Sequence, residues 1–197
     1  MRIALLVLIP ALLFSQAVPR NLNPTVKKVV DEVSERNIIA TLKKLESFET
    51  RNTFSTTDDP QHGIGAARKW IYDQFRGYSP KLEVYYDSYK VKKQPRVFRD
   101  VEVVNVVAVL PGTTNKDRQV IISAHYDSLN RIAKPGTPEP GEQPEIDEEK
   151  TAAAKAPGVT DDASGTAAVM ELARVMSQYQ FEKTIVFVTF AGEEQAL

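Results

Sequence analysis

The chain has 197 residues, with 25 Lys and Arg against 26 Asp and Glu, a formal net charge of −1, 42% hydrophobic residues and no cysteine. That balance excludes the basic surface of a nucleic-acid binder and the acidic tail that would take a cationic partner. It also excludes disulfides, a thiolate metal site and a cysteine nucleophile, so any metal must be held by His and carboxylates. Length and composition suit one globular domain.

Arg2, the apolar run 3–14 and Ser15-Gln16-Ala17 read as a secretory leader, residues 1–17, cleaved near Ala17. The run is too short for a stable membrane span, which needs about 20 apolar residues. The rest, residues 18–197, is expected to be the domain proper, in a secreted or periplasmic protein. From Asn21 to Phe48, Val26, Val29, Val30 and Val33, then Ile38, Ile39, Leu42 and Leu45, recur at helical spacing, with a break or cap expected at Asn37. Residues 50–61 are polar and contain Pro60, as in a loop; residues 63–75 predict a helix stopped by Gly77.

The texture then turns to strands. Residues 82–89 and the β-branched run 101–110, closed by Pro111-Gly112, predict strands; residues 120–124 predict a short one. Residues 134–157, rich in Pro, Glu and Lys, predict a long mobile loop inserted in the domain. Residues 167–179 read as an amphipathic helix, and 184–190 (TIVFVTF) as a strand buried on both faces. Helices before and between such strands predict an α/β layered domain around a central sheet.

Three segments carry chemistry. His125 ends a strand and has Asp127 two residues on, where a carboxylate can orient a metal-binding imidazole. Asp161 and Asp162 precede a helix; they suit an N-cap, and Asp161 also suits a carboxylate shared by two metals. Glu193 and Glu194 follow a strand too apolar for the surface, and a turn at Gly192 lets one bind metal while the other faces water. In open α/β sheets such strand-end residues converge outside the carboxyl ends of the strands.

The stretches AHYDS, GVTDDASGTAAVMELAR and TIVFVTFAGEEQAL, together with NVVAVLPG at 105–112, closely resemble metallopeptidase clan MH, family 28, the zinc aminopeptidases. The resemblance implies a three-layer sandwich with a mixed, mostly parallel central sheet flanked by helices, the phosphorylase/hydrolase-like exopeptidase fold, here without its C-terminal part. It implies two zinc ions, with His125 on one, Asp161 bridging and Glu194 on the other. Glu193 then acts as general base and Asp127 supports His125, the two forming the catalytic pair. It further implies a cis Asp161–Asp162 peptide, peptide or protein N-termini as substrate, and two downstream ligands absent from this sequence, so the strand 184–190 is expected to be partly exposed. His62, the other histidine, lies far from any family ligand position. A glutaminyl cyclase, which uses one zinc, shares similar segments, but the D-D-A-S-G stretch favours the peptidase. A carboxypeptidase of the same family and a non-catalytic interaction module remain as alternatives.

Overall fold

The computed structural model describes residues 23–136, 138–139 and 141–197; the expected leader, residues 1–17, lies outside them. The first helical stretch is two helices, α1 (Pro24–Asp31) and α2 (Glu35–Glu46). The break falls before Ser34 rather than at Asn37. The Ser34 hydroxyl accepts the Asn37 N–H at 3.3 Å, so Asn37 lies in the first turn of α2 and Ser34 is the cap. Helix α3 (Gly63–Tyr78) runs through Gly77. It ends where Ser79 turns extended, as a residue preceding a proline must.

Four strands follow: β1 (Glu83–Val91), β2 (Val101–Leu110), β3 (Asn115–His125) and, after the helices below, β4 (Lys183–Phe190). Their order is β1-β2-β4-β3. The sheet is mixed, as expected, but not mostly parallel: β2 is antiparallel to β1 and to β4, and only β3 and β4 are parallel. Connection length explains this. The β1–β2 and β2–β3 returns are short and reverse the chain, whereas the β3–β4 passage is long enough for a helical crossover.

Segment 134–157, expected as loop throughout, contains helix α4 (Glu148–Ala153). The Asp147 side chain caps it at the Lys150 N–H, and Thr151 and Ala152 are buried. Good helix formers in EEKTAA, and contact of Ala152 with Phe54 and Val97, account for it. After an irregular turn, Val159–Ala163, helix α5 (Ser164–Met176) leads to β4.

Helices α2, α3 and α5 pack on one face, where Leu45, Ile71, Phe75 and Met170 meet Val106 and Phe187, all at most 0% exposed. On the other face Val107, Val186 and Val188 form a cluster of strand residues only. Strand β4 is central and Thr184 to Thr189 are buried, correcting the expectation that it lies partly exposed. The outer strands are β1 and β3, and on β3 Val120 and Ile121 are 44% and 62% exposed. Among the described residues no helix is long and apolar enough to cross a membrane.

Candidate metal centre

The parallel strands β3 and β4 end side by side, with His125 in register with Phe190. The turn before α5 and α5 itself hold the His125 backbone: its N–H donates to Asp162 Oδ2 at 3.3 Å, and its carbonyl accepts from Thr166 Oγ1 at 2.9 Å. Beyond it, Tyr126 is fully buried and donates its hydroxyl to the Val104 carbonyl at 2.7 Å. The bend so fixed brings Asp127 back under the imidazole.

Nδ1 of His125 lies 3.3 Å from the Asp127 carbonyl and 3.4 Å from Asp127 Oδ1. A proton on Nδ1 directed to Asp127 leaves Nε2 as the metal-facing nitrogen. Nε2 lies 3.1 Å from Asp161 Oδ1 and 3.7 Å from Glu193 Oε2. The Asp127 hydrogen bond chiefly, with the charges of Asp127, Glu193 and Asp162, raises the imidazole pKa to about 9 against the pull of burial.

Asp127 is fully buried. Its Oδ2 accepts the Thr53 hydroxyl at 3.3 Å and the Glu194 N–H at 3.1 Å. Its Oδ1 has no well-formed hydrogen bond and faces only the imidazole at the long distance above.

The two adjacent aspartates divide the roles weighed for them. Asp162 is the cap: Oδ1 accepts the Gly165 N–H at 2.8 Å, and a Cβ on Gly165 would sit 2.5 Å from that oxygen. Asp161, its side chain 77% exposed, turns to His125 instead. The peptide between them is cis, as the resemblance implied.

After β4, Gly192 at φ 84° turns the chain into a single tight turn, Glu193–Gln195. Glu193 is mostly exposed toward His125, while Glu194 is half-buried. Burial first, then the charges of Asp161 and Asp127, push the Glu194 carboxyl up. His125, Asp127, Asp161 and Glu193 are thus brought together, and Glu194 is joined to them through its backbone and its field. Among the described residues no three His, Asp or Glu side chains are already set as a metal cage.

One imidazole nitrogen among carboxylates, without thiolate, is a donor set that suits zinc. The carboxylates of Asp161, Glu193 and Glu194 outnumber the one imidazole beside them, an excess of negative charge that a divalent cation would balance. His62 pairs with Asp59 at 3.3 Å at the start of α3 and takes no part. The sequence reading missed the segment after α2. Residues 51–54 look like polar loop, yet Arg51, Asn52, Thr53 and Phe54 are buried beneath the site. No spacing or composition marks them out.

Residues 105–197 match peptidase family M28. A probable zinc metalloprotease of Pyricularia oryzae is 40% identical over 170 residues, 84% of this chain and 31% of that protein. One from Pyrenophora teres f. teres is 38% identical over 177 residues, 87% of this chain and 35% of its own length. The chain therefore spans about a third of these relatives. Among solved structures, a glutaminyl cyclase from Fimbriiglobus ruber aligns with a TM-score of 0.60 at 20% identity, over 83% of this chain and 47% of that one. The LapA aminopeptidase of Legionella pneumophila aligns at 0.56 and 19%, over 87% and 38%. A Zn-dependent exopeptidase from Parabacteroides distasonis aligns at 0.58 and 17%, over 83% and 48%. At these identities the structural likeness establishes the fold alone.

Proposed function

We propose, from the match of residues 105–197 to peptidase family M28, that the full-length protein is a secreted zinc exopeptidase of that family, an aminopeptidase that removes N-terminal residues from peptides. The observation that supports it is the meeting of three distant segments at the carboxyl ends of β3 and β4, with His125 Nε2 3.1 Å from Asp161 and 3.7 Å from Glu193.

Two zinc ions would be held by His125, Asp161 and Glu194, with Asp161 shared, and further ligands would come from outside the described residues. When bound, zinc supplies an acidified water and a polarised substrate carbonyl. Glu193, exposed beside His125, would serve as the general base toward the attacking water and then as the proton donor to the leaving amine. Asp127 keeps the imidazole turned with Nε2 outward. Export rests on the leader at residues 1–17; a mature protein starting after Ala17 is the expected product of N-terminal sequencing.

The test uses the full-length protein with zinc. Turnover of aminoacyl chromogenic substrates, absent on N-blocked peptides, is the expected result, and Glu193→Gln abolishes it while zinc remains bound. Release from the C-terminus would mark a carboxypeptidase, and cyclisation of an N-terminal glutamine a glutaminyl cyclase. No turnover with zinc bound would mark the non-catalytic module.

A further inference from the structure

Arg51 is fully buried, yet no carboxylate hydrogen-bonds to it. Its donors go to four backbone carbonyls instead. Nε reaches Tyr126 O at 2.7 Å, Nη1 reaches Leu45 O at 3.1 Å and Pro157 O at 2.8 Å, and Nη2 reaches Gly158 O at 3.1 Å. Tyr126 directly follows His125, and Pro157-Gly158 leads into the turn that carries Asp161. The guanidinium therefore ties together the two segments that present these residues and anchors both to the end of α2.

The Arg51 backbone repeats the connection. Its N–H donates to Ser128 Oγ at 3.1 Å, its carbonyl accepts the Ser128 N–H at 3.2 Å, and the Ser128 hydroxyl donates to Ala156 O at 2.7 Å. Gly158 is shaped to this contact: at φ +46° it has no Cβ, and one would stand 2.9 Å from Arg51 Nη2. A buried cation is costly unless its donors are met. A planar fork reaches carbonyls on three segments, which a single ammonium cannot.

We propose that Arg51 is a positioning residue that sets the separation of His125 and Asp161 for a metal ion, an inference that rests on the metal-site reading above. Electrostatics alone predicts the opposite sign. Arg51 is a cation beside Asp127, so removing it makes the site more negative and would tighten a divalent ion if charge were all that mattered. The direction of the change in zinc affinity therefore separates positioning from charge.

The experiment measures zinc affinity of the full-length protein by competition with a chromophoric chelator, and the visible spectrum of its cobalt(II) form, for wild type, Arg51→Met, Arg51→Lys, Ser128→Ala and His125→Ala. Arg51→Met and Arg51→Lys are expected to weaken zinc about tenfold or more and to alter the cobalt spectrum, with lysine failing to rescue. Ser128→Ala, which removes only the hydroxyl links, shifts affinity the same way by a smaller factor. Unfolding curves of the metal-free variants identify any that do not fold, in which case Ser128→Ala decides alone. Unchanged or tighter zinc in a folded Arg51→Met, or in Ser128→Ala if Arg51→Met does not fold, overturns the inference while wild type still binds. A wild type no tighter than His125→Ala overturns the metal reading, and this inference with it.

Discussion

Asp161 and Asp162 are neighbours of the same chemistry, and the structure assigns them separable jobs. Asp162→Ala removes the acceptor of the Gly165 N–H at 2.8 Å and that of the His125 N–H at 3.3 Å. The lost cap costs about 1 kcal/mol. The second bond is long and half-buried, worth roughly 0.5–1 kcal/mol. Together they amount to about 2 kcal/mol, or a fall in Tm of about 4–8 °C for a domain of this size. Asp161 caps no helix, and its side chain, 77% exposed, meets His125 Nε2 at 3.1 Å as an exposed ion pair, so Asp161→Ala leaves metal-free stability within about 1 kcal/mol. Zinc affinity follows the other pattern, with the greater loss in Asp161→Ala. Both are measured on the full-length protein, with Tm taken in excess chelator so that lost zinc does not count as lost stability. Equal metal-free Tm values for the two variants, or full zinc affinity in Asp161→Ala, would refute the division of roles.

Burial pushes the Glu171 carboxyl up, but hydrogen bonds from Arg174 and the Ser34 N–H outweigh it and hold the group below the usual carboxylate range. Its contribution is therefore present above the unfolded-state pKa and lost as pH falls through the folded one, so the urea-midpoint gap between wild type and Glu171→Gln should narrow below about pH 4; a gap constant down to pH 3 contradicts this. Phe187 is fully buried in the core on the α5 side of the sheet, and Phe187→Ala should cost about 3–5 kcal/mol in urea unfolding, with a loss under about 1 kcal/mol showing that the core is misassigned.

The residues that touch the imidazole were legible because each ends an element whose pattern is local. TIVFVTF announces a buried strand, and a histidine or a glutamate pair just past such a strand stands out. The dual reading of Asp161-Asp162 is also present in the sequence, and the structure gives the capping role to Asp162 and turns Asp161 toward His125. Strand order was not legible. That β4 enters between β2 and β3 is settled by packing across the sheet, which no window of sequence contains. Arg51 and Thr53 were hidden for a related reason. Among polar neighbours they read as solvated loop, and only the tertiary fold turns that loop under Asp127. The sequence puts the helix break at Asn37, three residues past the cap at Ser34, because both are good capping residues and only hydrogen bonding decides between them.

The passage from β3 to α5 is fastened at both ends and again by α4 near its close, while residues 133–136 and 141–145 lie exposed between these anchors. Tyr126 and Ser128 are pinned at its start and Ala156, Pro157 and Gly158 at its close, by the same arginine and serine. That exposed stretch can thus be lengthened, shortened or rewritten over evolutionary time without displacing His125 or Asp161. Variation there is absorbed at the surface, and the ends of β3 and β4 keep their geometry.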